Sequence, residues 1–86
     1  MKTFPLVISC PDGERFRDSV AKIKLRGAEG DLAVMAGHTP FVTSVKPCDC
    51  EIEFADGTKK TGHTDGGLLT VSQEIVTLIS GIFLWQ

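Results

Sequence analysis

No charge of one sign dominates this 86-residue chain, in which nine Lys and Arg are interspersed with eleven Asp and Glu for a formal net charge of −2. Without a basic stripe there is nothing to neutralise a run of phosphates, which argues against nucleic acid as a partner. A long hydrophobic run is missing as well. The longest apolar stretch, Val76 to Trp85, is broken by Thr77, Ser80 and Gly81 and is too short to span a bilayer. The opening Met-Lys-Thr-Phe-Pro lacks the apolar core of a secretion signal. Cysteine is scarce and odd in number: Cys10, Cys48 and Cys50 suit a reducing compartment rather than a disulfide scaffold, so the chain reads as cytoplasmic. Nucleotide-binding loops are absent too, because Gly62 to Gly67 carries no Lys-Ser/Thr pair and opens no helical pattern. That stretch is read as a turn.

What is present is an ordinary globular composition, 42% apolar and 23% charged. A chain of this length predicts one domain over residues 1–86, burying roughly 60% of its unfolded surface. Its dominant period is two, the period of a strand with one buried face. Phe4, Leu6, Ile8 and Cys10 share a face before the turn Pro11-Asp12-Gly13. Ala21, Ile23 and Leu25 interleave with Lys22, Lys24 and Arg26 up to Gly27-Ala28-Glu29-Gly30. Leu32, Val34 and Ala36 lead to Gly37-His38-Thr39-Pro40, and Phe41, Thr43 and Val45 lead to Pro47. Cys48, Cys50, Ile52 and Phe54 alternate with acidic residues directly before Asp56-Gly57, a hairpin dipeptide. Leu69 and Val71 follow Gly66-Gly67, then a polar Ser-Gln-Glu turn, then a final run from Ile75 to about Leu84. In Glu14 to Ile23 the residues Phe16, Val20 and Ile23 also fit one helical face, but the alternation from Lys22 to Leu25 favours strand. The pattern predicts an all-β fold, a flattened β-sandwich or barrel.

Candidate chemistry is thin. Cys48 and Cys50 lie two apart on one strand face, and zinc would need further ligands from Cys10, His38 or His63. With Ile52 and Phe54 continuing that face, the cysteines fit small buried hydrophobes better than ligands. His38 and His63, with Asp65 near, are the available bases for a thiol nucleophile, yet exposed loop histidines explain them as simply. Lys59 and Lys60 read as solvated charges beside a hairpin tip. A small cytosolic metal-binding or thiol enzyme is the alternative these residues leave open.

The segment from Gly27 to Pro40 stands out as one β-ribbon with two distinct loop tips, one acidic and one carrying a histidine. Its residues Gly27, Glu29, Gly30, Asp31, Val34, Gly37, His38 and Pro40 fit a pattern close to G-x-E-G-D/E-x-x-V/I-x-P-G-H-x-P. In this the chain resembles the ATP synthase ε subunit family, called δ in mitochondria, in its N-terminal domain. The resemblance extends over Phe4-x-Leu6-x-Ile8, Thr43, Lys46-Pro47, Gly66-Gly67-Leu68-Leu69-x-Val71 and Val76, Thr77 and Ile79. Ala36 replaces the proline usual before Gly-His, and Cys48 stands where glycine is common.

The resemblance implies a flattened sandwich of about ten strands, and a non-catalytic rotor part that joins the γ subunit to the ring of c subunits at the foot of the central stalk. Carried over by position, Glu29, Gly30 and Asp31 would contact polar loops of the c ring, and His38 and Thr43 would lie toward γ. No catalytic residue, cofactor or metal is implied, and the domain would be peripheral to the cytoplasmic face of the membrane without inserting into it. Family members usually continue into a helical hairpin that binds or senses ATP. The sequence stops at Gln86, so only the β-domain's role is expected.

Overall fold

A computed structural model describes residues 2–86. Ten strands form: β1 (Phe4–Cys10), β2 (Gly13–Val20), β3 (Lys22–Gly27), β4 (Gly30–Met35), β5 (Phe41–Val45), β6 (Cys48–Glu53), β7 (Lys59–Thr64), β8 (Gly67–Val71), β9 (Val76–Ser80) and β10 (Phe83–Trp85). They pair in the order β10-β7-β6-β3-β5-β8-β9-β1-β2, with β4 added on β3. The link between β3 and β5 is the single pair Gly27↔Val45, so the sheet folds there into two layers of five strands. The window read as strand against helix, Glu14 to Ile23, is strand on both sides of a bend at Ala21; its β2 part pairs with β1 through Phe4↔Val20 to Cys10↔Gly13, with a bulge between Ile8 and Ser9.

Alternation places the core where the sequence predicts it. Leu6, Ile8, Ile23, Cys50, Ile52, Leu69, Val76 and Leu78 are fully buried between the layers, while Lys24 and Arg26 face water. The far seam, where β10 and β2 end the pairing order, is closed by side chains. Phe16 on β2 meets Trp85 on β10 at 5.5 Å between ring centroids, and Phe54 lies 6.1 Å from Phe16. Lys60 is exposed, as expected of a solvated charge, and it also holds its ammonium 4.1 Å over the Trp85 ring, a cation–π contact that covers the seam from outside. At the Asp56-Gly57 hairpin the Asp56 carboxylate accepts hydrogen bonds from the Thr58 hydroxyl and N–H, which holds its pKa below the ordinary range.

Two local expectations fail for physical reasons. The run from Ile75 to Leu84 is not one strand: β9 lies in one layer and β10 in the other, with the chain turning at Gly81 and Ile82. Likewise Gly62 to Thr64 is strand, and only Asp65-Gly66 turns before β8 crosses to the other layer. Both crossings are fastened by one polar cluster. Asp65 Oδ1 accepts the Ile82 N–H at 2.9 Å, and Asp65 N–H donates to the Ile82 carbonyl at 3.2 Å. The Ser80 hydroxyl donates to that same carbonyl at 2.7 Å and stands 2.6 Å from Thr64 Oγ1, which accepts the Gly66 N–H at 3.1 Å. Either hydroxyl can be the donor across that contact, since Thr64 Oγ1 also stands 3.3 Å from the Gly66 carbonyl and Ser80 Oγ 3.4 Å from Asp65 Oδ1.

Candidate partner-binding surface

The acidic tip is built by the β3–β4 hairpin. Gly27↔Gly30 closes it around Ala28 and Glu29, and Gly30 takes φ +125°, a conformation that a side chain would strain. Glu29 is exposed at the tip, and among the described residues no cation is paired with it. Asp31 differs. Directly opposite Arg26 in the ladder, it accepts that guanidinium's Nε–H at 2.9 Å, with both side chains largely in water. This hydrogen bond, with the attraction between the charges, raises the Arg26 pKa further above its usual value. The tip therefore offers one uncompensated carboxylate and one already committed within the hairpin.

Thr43 lies beside this tip. An open groove of about 500 Å³ is bordered by Ala28 to Leu32 on one side and by Phe41, Val42 and Thr43 on the other. His38 is not part of it. Beyond the opposite end of β4, its ring packs edge-on against Phe4 at 5.6 Å between centroids. The expected exposed loop histidine is half-buried instead, and its Nδ1 is sealed from water with no hydrogen-bond partner among the described residues. Of the predicted positions, then, Glu29, Gly30, Asp31 and Thr43 border one groove, and His38 stands apart.

Sequence reasoning missed an apolar outer face. The register rows Ser44↔Leu68↔Ile79 and Val42↔Thr70↔Thr77 run across β5, β8 and β9, and Val42, Leu68 and Ile79 are 61%, 40% and 51% exposed. None of these six side chains is charged. The signal was legible as parity: outward positions of β3 carry Lys24 and Arg26, whereas those of β8 and β9 carry Leu68, Thr70, Thr77 and Ile79.

The thiol residues do not assemble with the histidines. His63 Nδ1 and Asp49 Oδ1 are 2.9 Å apart on the exposed side of β7 and β6, whereas alternation turns Cys48 and Cys50 inward. Cys48 is half-buried and its sulfur accepts the Arg26 N–H at 3.3 Å. Burial first, and then the neighbouring Cys48, push the Cys50 thiol up to about 12, so it stays protonated and unreactive at neutral pH. Native protein treated with iodoacetamide at neutral pH is expected to keep Cys50 unmodified until denaturant is added, read by peptide mass spectrometry; rapid native alkylation of Cys50 would contradict the burial. Among the described residues no three His, Cys, Asp or Glu side chains converge as a metal-ligand group.

With the geometry in place, comparison with known proteins decides the family. The family model described as "ATP synthase, Delta/Epsilon chain, beta-sandwich domain" matches residues 3–86. The chain belongs to the ATP synthase delta/epsilon family. A curated relative from Acetobacterium woodii, the ATP synthase epsilon chain described as sodium ion specific, is 37% identical over 84 residues, 98% of this chain and 63% of that one. The chain thus spans less than two thirds of that relative. A chain in the solved Euglena gracilis mitochondrial ATP synthase, an OSCP/F1/c-ring assembly, superposes with TM-score 0.90 at 26% identity, covering 96% of this chain and 53% of that one. A chain from the Tetrahymena thermophila mitochondrial ATP synthase central stalk and c ring shares the fold at TM-score 0.82 and 13% identity, over 96% and 66% of the two chains. Among the described residues of this delta/epsilon domain no helix is long and apolar enough to cross a membrane.

Proposed function

We propose that this delta/epsilon domain is a non-catalytic part of the central stalk of an F1Fo ATP synthase, coupling rotation of the γ subunit to the c ring during proton- or sodium-driven ATP synthesis. It is held peripherally at the cytoplasmic face of the membrane through the complex. The observation that carries this reading is the family match over residues 3–86, joined to the 0.90 superposition on a chain of an assembly that contains F1 and c ring. Glu29, Gly30 and Asp31 contact polar c-ring loops, and His38 and Thr43 lie toward γ. The physical logic supports the assignment. An exposed unpaired carboxylate on a stiff turn attracts basic loop residues, while the uncharged face of Val42, Leu68 and Ile79 has the composition of a patch covered by a protein partner. Two layers of strands sharing one core, with no helix among the described residues, suit a stiff part that transmits force.

Glu29→Lys is the cleanest test of the turn, because Glu29 has no partner within the hairpin and the substitution is expected to leave thermal stability within about 0.5 kcal/mol. Attachment of the purified domain to detergent-solubilised c ring should weaken by roughly tenfold at low salt and by less as salt rises. Attachment that is unchanged at both salts would remove the turn from the interface. Asp31→Lys additionally breaks the bond to Arg26, so its effect includes a loosened hairpin.

A further inference from the structure

The acidic turn does not stand alone at its end of the sandwich. One register row, Gly27↔Val45↔Gly67↔Ser80, crosses four strands, and along this row the chain passes between the two layers. Four connections leave it in order: Ala28-Glu29 after β3, Lys46-Pro47 after β5, Asp65-Gly66 before β8 and Gly81-Ile82 after β9. With neighbouring strands about 4.8 Å apart, the first and the last of these stand roughly 14 Å from each other. Together they form one rim.

The four connections differ in what they offer a partner. Glu29 and Lys46 hold exposed charges. Asp65 directs its carboxylate inward, onto the Ile82 N–H at 2.9 Å. Ile82 is the one large apolar side chain of the rim, and it is 56% exposed. Its backbone is nonetheless held on both sides, because the Asp65 N–H also donates to the Ile82 carbonyl at 3.2 Å. Gly81 is packed against the same group, so that a Cβ there would stand 2.9 Å from Asp65 Oδ2. These contacts fasten the crossing, and they also aim an apolar side chain outward from a backbone that has already lost its freedom. That is the condition under which an anchor binds at least entropic cost. The next row of the ladder pairs Leu68 with Ile79 on the uncharged outer face, so this end of the rim borders apolar surface rather than charge.

We propose that Ile82 is a second attachment point for the c ring, an apolar anchor on the same rim as the acidic turn. The occupant is a ring loop that carries an apolar side chain beside its polar groups. The inference rests on the central-stalk reading, in which the Glu29 turn meets the ring, and deepens it. Charge alone is a weak hold, because exposed ion pairs add little affinity and fade with salt. The turn therefore sets orientation, and Ile82 supplies affinity by burying apolar surface. A ring repeats one loop around itself, so two tips on one line are met by copies of the same loop. The assembly that holds the superposed Euglena chain includes such a ring.

Binding of the purified domain to detergent-solubilised c ring tests it. Ile82→Ser should weaken attachment at least about tenfold at low and raised salt alike, since lost apolar burial is not a screened term. Ile82→Val should stay within about threefold of the native chain. Met35→Ser is the control: Met35 is also 56% exposed, but it lies at the opposite end of the β3–β4 ladder from the turn, and its loss should leave attachment unchanged. Combined with Glu29→Lys, whose effect fades with salt, Ile82→Ser should act multiplicatively, because the two sites share no contact. A thermal midpoint of Ile82→Ser equal to that of the native chain separates lost docking from lost folding; the bonds at this position are made by backbone and survive the substitution. Native attachment by Ile82→Ser, with Glu29→Lys weakened, would overturn the anchor and leave the central-stalk reading standing. Equal losses from Ile82→Ser and Met35→Ser would overturn it as well, by showing general adhesion of exposed apolar groups. No attachment of the native chain to the ring would sink both readings.

Discussion

Gly67→Ala is expected to lower the thermal midpoint of this domain by roughly 15 °C, the equivalent of about 3 kcal/mol in a chain of this size. Gly67 opens β8 opposite Ser80, and a Cβ placed on it would sit 1.8 Å from the Ile79 carbonyl oxygen and 2.9 Å from the carbonyl carbon. Both obstacles are backbone of the neighbouring strand, so no rotamer change relieves them. The ladder between β8 and β9 has to open instead, and it holds Leu69 and Leu78 in the core. Gly30→Ala provides the contrast. There a Cβ meets nothing within 4 Å and only the φ of +125° is strained, which costs about 1–2 kcal/mol. Thermal melts of both variants check the prediction; equal losses would mean that the close approach at Gly67 is not what requires glycine.

The second large effect lies in the polar cluster that fastens the two crossings. Thr64→Val keeps the shape of a fully buried side chain but removes the acceptor of the Gly66 N–H and the hydroxyl partner of Ser80. Leaving that N–H without a partner costs about 2 kcal/mol. Ser80→Ala should cost less, about 1 kcal/mol, because the Ile82 carbonyl keeps the Asp65 N–H. Since the two hydroxyls act in one chain of bonds, the double variant should fall short of the sum. Urea unfolding midpoints at constant m-value measure all three. Strict additivity would show that the hydroxyls do not act together.

Much of the fold is written in the period of the apolar residues, and the failures show where that signal ends. Phe4 to Cys10 and Cys48 to Ile52 are legible because alternate residues of each strand turn into the core, fully from Phe4 to Cys10 and at Cys50 and Ile52 and partly at Cys48, which fixes parity. The break at Gly81 is not, since an apolar run continues on both sides of it and the deciding contacts come from Asp65, sixteen positions earlier. Nor does local pattern specify that β1 pairs parallel with β9, a partnership between opposite ends of the chain. The site divides in the same way. The acidic turn is legible from its glycines, and the Arg26–Asp31 pair follows once the turn sets them opposite each other. The cover that Phe4 gives His38 depends on a strand thirty-four residues away and leaves no mark in the local pattern.

The central claim is that this small body holds two neighbours at once, and a bridging experiment tests it without relying on any single residue. With c ring immobilised, purified γ is passed over the surface in the presence and absence of this domain. Retention of γ should rise in proportion to the bound domain and fall when Glu29→Lys replaces the native chain. Equal retention of γ with and without the domain, while the domain itself binds the ring, would contradict a coupling role.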